Sequence, residues 1–471
     1  MRLFPISVIL LLAWGALAIG GWPSWAAAPV AVFAATTGIL GFLERRERRL
    51  QHRPVLLALG LFLAAIGVQL VPLPESAVTR LSPSHDVAEF EKLLATADRR
   101  DPELVSTVVA GAPRPLSIAP GRTWWGLGFA AALALYLIGA SHGLSAVGVS
   151  GITRMVIVLG AVVALLGIYQ LASGTPIQYG WYVPIQFSTR SAPFVNRNHQ
   201  AGWLVMVLSL TLGLVAGDVA RGMRGVAPGW RNRVIWFSSK QANVAVSLLL
   251  AAVIMAIAVL ATQSRSGAIA LLLALTALAL LSGRRQSSNA RRGVATIGLV
   301  AVALIALFTS GSAVMSRFAL RSSVSGDARL ATWRDSWRIL RDFWITGTGF
   351  NTYGVSMLHY QTASDGSWYI EAHNDYLQLA VEGGWLIGIP ALLLIASLAV
   401  EVRRRFREGA DDTRTYWVRV GAVTGLLAMA LQSTVEFTLQ MSGAAALFAT
   451  LLAIAIHHPR PRVPSLERHA E

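Results

Sequence analysis

VAVSLLLAAVIMAIAVLATQSRSGAIALLLALTALALL, residues 244–281, holds two long apolar runs parted by one short polar turn. A hydrocarbon core about 30 Å thick needs about 20 such residues per helix. In lipid the backbone must satisfy its own hydrogen bonds, so runs of this kind are read as helices. The pattern recurs along the chain, at 5–22, 25–43, 55–73, 123–144, 153–171, 200–218, 243–262, 267–283, 293–309, 385–401, 418–435 and 442–457. The expected fold is an all-α polytopic membrane protein of about 12 transmembrane helices, with residues 1–471 forming a single integral membrane domain.

Composition agrees. The chain is 54% hydrophobic and 14% charged, where a soluble domain carries about 25% charged residues. No cysteine is present, which excludes disulfides, thiolate metal sites and a cysteine nucleophile. The net charge is +16, and Lys92 and Lys240 are its only lysines. In a chain of this class, positive charge reports topology before it reports a polyanionic partner, so no nucleic-acid partner is expected.

The arginines orient the chain. ERRERRLQHR (44–53), the basic residues between Arg221 and Lys240, GRRQSSNARR (283–292), RRRFR (403–407) and HHPRPR (457–462) all follow even-numbered spans. The positive-inside rule makes these segments and both termini cytoplasmic. WAAAP (25–29) after the first span resembles a cleavage site, but the charged segment before that span is slight, so the span is read as retained. Three outer loops follow, at 74–122, 172–199 and 310–384. The third contains DARLATWRDSWRILRDFW (327–344), where Trp333, Trp337, Leu340 and Trp344 form one helical stripe and Arg334, Arg338 and Arg341 another. It reads as an interfacial amphipathic helix with its aromatic side in lipid. Its arginines either snorkel to headgroups or, as for Arg338, also contact an anionic substrate. GTGFNTYG (347–354) breaks that helix with glycines.

Four polar clusters interrupt the apolar pattern, and this topology puts all four on the outer side. They are STRSAPFVNRNHQAGW (188–203), TQSRSGA (262–268), EAHNDY (371–376) and VEFTLQ (435–440). Arg265 sits in a tight turn between two apolar helices, where an arginine is costly unless it has a partner or a function. Its planar fork suits phosphate or carboxylate, and Ser264 adds a hydroxyl beside it. Arg190 and Arg197 supply further positive charge. Asn196 and Asn198 either orient a sugar or cap the next helix; His199 beside them reads as structural. His373 stands among carboxylates and accepts a proton near neutral pH, with Asp375, Glu371 or Asp365 as candidates to orient it. Asn374 either binds substrate hydroxyls or caps a helix. Glu436 is expected to pair with an arginine. No paired histidine spacing occurs on the outer face, so neither a metal nor another cofactor is expected. Phosphate-sized arginines, one base and a lipid-facing setting suit group transfer from a polyprenyl diphosphate.

These clusters resemble the O-antigen ligase and polymerase superfamily, including its exopolysaccharide-associated members. TQSRSGAIALLLAL (262–275) is similar to the family's Ser-Arg-Gly turn, one residue longer here. PFVNRNHQAGWL (193–204) is similar to its Asn-rich entry segment. RLATWRDSWRILRDFWITGTGFNTY (329–353) resembles the stretch ahead of the catalytic loop, and EAHNDYLQLAVEGGWLIG (371–388) the histidine motif, with Gly388 one residue late. VPLPESAVTRLSP (71–83), RPLSIAPGRT (114–123) and QSTVEFTLQ (432–440) extend the likeness over nearly the whole chain.

The resemblance implies a metal-independent, inverting glycosyltransferase of the bacterial inner membrane. Its donor is an undecaprenyl-diphosphate-linked glycan, and its acceptor a lipid A core or a second lipid-linked repeat. His373 would be the base and Arg265, with Arg190 or Arg197, would stabilise the leaving diphosphate. Asn196, Asn198, Ser264, Arg338, Asn374, Asp375 and Glu436 complete the expected substrate contacts. Partners are the bilayer and, by the same likeness, polysaccharide export proteins. Two other readings are a small-anion transporter of the same superfamily and a non-catalytic scaffold of an export complex.

Overall fold

The structure is a computed structural model that describes residues 3–44, 52–84, 113–175, 177–183, 192–223, 226–227, 229–282, 329–362 and 368–459. Among these the architecture is helical, with two isolated β-bridges, Leu73 to Arg114 and Gln178 to Tyr182. The helices are α1 (Leu3–Leu17), α2 (Ser24–Leu43), α3 (Arg53–Val68), the short α4 (Glu75–Leu81), α5 (Pro120–Val147), α6 (Ser150–Ser173) and α7 (Arg197–Gly222). After them come α8 (Trp230–Phe237), α9 (Lys240–Ala261), α10 (Arg265–Ser282), α11 (329–342) and α12 (Tyr353–Tyr360). The last three are α13 (Asp375–Glu408), α14 (Thr413–Gln432) and α15 (Ser442–Ile456).

Among the described residues six helices are long and apolar enough to cross a membrane: α2, α5, α6, α7, α9 over Ala242–Ala261, and α13. Large apolar side chains such as Val158, Leu165, Leu250, Ile257, Leu392 and Ile395 are exposed along them. A soluble monomer does not carry so extensive an apolar surface. The chain is a polytopic membrane protein. Every expected span except 293–309 falls on a helix, and that one lies outside the described residues.

Some boundaries differ from expectation. The sequence predicts a third span running to residue 73, but α3 stops at Val68, and the side chain of the next residue, Gln69, binds the 346–350 loop. The tenth was expected to start at 385, but α13 starts ten residues earlier, where the Asn374 side chain accepts from the Tyr376 and Leu377 amides. A kink at Gly384 (φ +51°) then divides α13.

Helix α7 lies at the centre and is buried along most of its length. It packs on α14 at a contact where a Cβ on Gly213 or Gly421 would collide with the facing backbone. The α2–α5 contact is similarly close at Gly38 and Gly139. Lipid offers helices no hydrophobic drive to associate, so close backbone approach at small residues holds such pairs together.

Helix α11 departs from the expected lipid-facing stripe. Trp337 and Trp344 are exposed, but Trp333 turns inward and donates to the Ala372 carbonyl at 2.9 Å. Leu340 packs with Ile118, Ile339, Phe343 and Met357 in a satellite core. The small side chains of Thr332 and Ser336 bring α11 close to α12, and Ser336 shares a 2.8 Å hydrogen bond with Tyr353. Apolar pattern shows a helix's greasy side but not a docking face built of Ser, Thr and Asp.

The two ends of the bundle differ in chemistry. One gathers the starts of α3 and α14 and the ends of α5, α13 and α15. There the buried Arg419 donates to both Asp411 oxygens at 2.8 Å and to the last carbonyls of α15. His52 lies 2.9 Å from Glu401, which also accepts from Arg404 and Arg405. The polar clusters of interest lie at the other end. Ser282 is the last described residue of α10 and Arg329 the first of α11; Arg329 is already at that second end.

Removing one partner of a buried ion pair leaves an uncompensated charge and costs about 3–5 kcal/mol. Asp411→Ala is therefore expected to lower the melting temperature in detergent sharply. A paired Asp411→Leu, Arg419→Met replacement is expected to cost less than the single change, as read by thermal unfolding on size-exclusion chromatography.

Candidate active site

Three chain segments and the α10 start converge on the carboxylate of Glu436, in the turn between α14 and α15. Its Oε1 accepts from Asn198 Nδ2 at 2.8 Å and from Arg329 at 2.7 Å, with Ser266 Oγ at 3.5 Å. Its Oε2 faces His373 Nδ1 at 4.0 Å. Both of those atoms are buried without a hydrogen-bond partner among the described residues. At that separation the pair forms no hydrogen bond. Glu436 is almost wholly buried, which alone would raise its carboxyl. The neighbouring His373 imidazole and the Arg329 charge outweigh burial and hold the carboxyl below its usual range, and so ionised.

Phe437 completes the arrangement. Its ring meets His199 edge-on at 4.5 Å and His373 edge-on at 4.7 Å. His199 is buried, and its Nε2 has no hydrogen-bond partner among the described residues.

The histidine sits on a strained backbone, with φ at +52°. A non-glycine residue in this region is uncommon, and such strain persists only where neighbours over-determine it. Here they do. Ala372 is fixed on one side by Trp333 and by Gln378, whose side chain accepts its amide at 3.0 Å. On the other side the Asp375 amide donates to the Ser433 carbonyl at 2.9 Å, and the Asp375 carboxylate accepts from Gln440 and the Leu439 amide. The histidine is clamped between α11 and the α14–α15 turn.

The glycine loop after α11 supports this clamp from behind. Gln69 donates to the carbonyls of Thr346 (2.7 Å) and Glu382 (2.9 Å) and accepts from Phe350 N. Glu382 accepts from the amides of Asn351 and Tyr353. Gly347 (φ +67°) lies so close to the Glu382 carbonyl that a Cβ would overlap it. The loop therefore locks the α13 kink, and with it the helix that begins just after His373.

The other sequence candidates are placed as follows. Asn196 caps α7 by accepting from the Asn198 amide, while Asn198 uses its side chain on Glu436. Ser264 accepts from the Gly267 amide and pairs with Ser266. Arg265, exposed, begins α10 directly beside Ser266, and Arg197, half-buried, begins α7 beside Asn198. Asn374 caps α13. Arg338 is half-exposed, 3.8 Å from Asp335, and about 13 Å along α11 from Arg329. Arg190 and Asp365 lie outside the described residues. Of the carboxylates considered as partners of His373, Glu371 bonds Gln378 and Asp375 bonds Gln440. The carboxylate that faces the imidazole is Glu436. Arg329 and Phe437 were not singled out from sequence; Phe437 beside Glu436 in a short polar turn is the signal that was there to read.

Among the described residues one histidine–carboxylate group brings its ligand atoms within 4.8 Å of one another: His52, Glu401 and His458, at the opposite end. There Arg405 bonds Glu401 and lies 2.6 Å from His458 Nδ1, so a guanidinium fills the cation's place.

The O-antigen ligase family model matches residues 250–396. Over that segment the chain is similar to the O-antigen ligase family. The match runs from α9 into α13 and includes Arg265, Arg329 and His373; Glu436, which meets Arg329 and His373, and its partner Asn198 lie outside it. No curated protein matches the chain. The match supports a membrane glycosyltransferase-type role in polysaccharide assembly.

Burial pushes the Glu371 carboxyl up to about 8; the Glu382 and Asp375 charges push the same way, while the bond from Gln378 pulls it back. A carboxyl raised on folding adds stability that is fully present below its ordinary value of 4.5 and is lost as pH rises through about 8. Glu371→Gln is expected to flatten the fall in melting temperature between these limits and to melt higher than the parent at pH 9. A parallel fall in both proteins would contradict this.

Proposed function

We propose that the chain transfers a glycan from undecaprenyl diphosphate to an acceptor sugar hydroxyl, on the periplasmic face of a bacterial inner membrane. The observation that carries this reading is the convergence of the Ser-Arg turn, the Asn-rich segment and the histidine motif on Glu436. The arginine-rich end, with RRRFR in the last turns of α13, is then cytoplasmic, together with both termini. The Glu436 end faces the periplasm.

In this reading His373 Nε2 takes the proton of the attacking hydroxyl. Its Nδ1 faces the ionised Glu436, which holds the ring's orientation and stabilises the imidazolium as it forms. The hydroxyl oxygen bonds the anomeric carbon as the bond to the diphosphate oxygen breaks, from the opposite side, with inversion. Arg265, with Arg190 or Arg197, neutralises the charge gathering on the leaving diphosphate. Fixed positive groups at such a position act without reorganising, which makes them strong contributors. Asn198 and Arg329 are engaged by Glu436 and serve as its supports. No step is assigned to a metal. Lipid-linked donor and periplasmic acceptor meet here because the site stands at the end of the apolar helices.

Arg265→Ala is expected to insert normally and to lower glycan transfer by about 10²–10³, and His373→Ala by about 10²–10⁴. Glu436→Gln is expected to retain more activity than His373→Ala and to shift the pH profile of transfer. Surface-glycan analysis of a deletion strain carrying each variant checks this. Normal glycans from both the His373 and Arg265 variants would overturn the reading and favour a scaffold. Single repeats in the deletion strain would identify a polymerase, and an uncapped core with unchanged chains a ligase.

A further inference from the structure

On the flank of the bundle, away from Glu436, α6 and α9 enclose an open groove of about 530 Å³. Its walls are apolar along most of their length, and Val158, Val162, Leu165 and Val244 are exposed in them. At one end the lining changes to Arg154, Asn243 and Ser247. Arg154 lies in the first turns of α6, at the same end of the bundle as the Asp218–Arg414 pair.

Charge at that polar end is lopsided. Arg154 is 46% exposed and stands 3.9 Å from Asp218, too far for a hydrogen bond. Asp218 is instead held by Arg414, whose Nε donates to it at 2.6 Å. Arg414 thus neutralises Asp218 through Oδ1, while Arg154, which lines the groove, stands off Oδ2 without a hydrogen bond and is the loosely engaged cation. Asn243 is exposed beside it. Guanidinium and amide donors together suit a phosphodiester.

The dimensions fit one class of occupant. From Arg154 to Leu165 the groove follows α6 for about 16 Å. One leaflet of a bilayer core is about 15 Å deep, half of the full core of about 30 Å. A headgroup at Arg154 would leave its acyl chain lying along Val158, Val162 and Leu165 and ending near the midplane.

We propose that this groove binds an anionic phospholipid of the leaflet on the arginine-rich side, with its phosphate at Arg154 and Asn243 and one acyl chain between α6 and α9. A zwitterionic lipid would fill the same apolar trough, but its ammonium group offsets the attraction to Arg154. This site is separate from the Glu436 cluster and stands whether or not glycosyl transfer occurs there.

The test uses full-length protein in nanodiscs holding equal parts of phosphatidylglycerol and phosphatidylcholine, followed by native mass spectrometry of the released protein. The parent is expected to retain phosphatidylglycerol about fivefold over phosphatidylcholine, the attraction that one basic residue gives an anionic headgroup. Arg154→Gln is expected to bring that ratio to about one, and Val162→Trp, which fills the trough, to lower retention of both lipids. Thermal melts confirm that each variant is folded; if Arg154→Gln does not fold, Asn243→Ala, expected to reduce the ratio, takes its place. Equal retention of the two lipids by the parent, or a ratio unchanged by these substitutions, would overturn the proposal.

Discussion

A single ionised carboxylate organises the polar end of this bundle. Glu436 is buried where burial opposes ionisation, and it stays charged because Arg329, Asn198 and the His373 imidazole surround it. An unpaired buried charge costs far more than a hydrogen bond returns. The carboxylate therefore dictates where the α7 start, the α11 start and the histidine loop must sit. The strained φ of His373 is tolerated because the same turn that carries Glu436 also anchors Asp375.

The bundle beneath is held differently at each level. Small residues such as Gly38, Gly139, Gly213 and Gly421 allow helix backbones to touch in the apolar interior. Polar networks close the two ends, with Gln69 and Glu382 fastening the glycine loop to α13, and Arg419 and Asp411 fastening the opposite side. These rigid ends let α13 break at Gly384 without losing its register with α3. The kink separates the short segment that follows His373 from the long lipid-facing remainder, so the imidazole's position is set by the loop and the turn rather than by the lipid-exposed part of the helix.

Much of this was legible in the sequence. Apolar runs of membrane length mark helices because lipid leaves the backbone no other partner. The clusters at 188–203, 262–268, 371–376 and 435–440 were visible because charge and amide groups are rare in such runs. Their meeting point was not legible. Asn198 and Glu436 are 238 positions apart, a contact that spacing cannot encode. The nearest carboxylates in sequence, Glu371 and Asp375, turn to Gln378 and Gln440, because the left-handed turn at His373 points neighbouring side chains away from one another. Trp333 misled for a related reason: its ring belongs to an aromatic stripe, yet its indole N–H requires an acceptor and finds the Ala372 carbonyl.

The convergence on Glu436 and its sidedness are open to one direct measurement, since the natural chain contains no cysteine. A protein carrying Asn198→Cys and Glu436→Cys would be treated in intact spheroplasts with a short, membrane-impermeant cross-linker bearing two thiol-reactive methanethiosulfonate groups. Intramolecular cross-linking of this pair is expected, with none for Asn198→Cys paired with Arg404→Cys. No cross-link between 198 and 436 from the periplasmic side, with reaction only after the membrane is opened, would contradict the account.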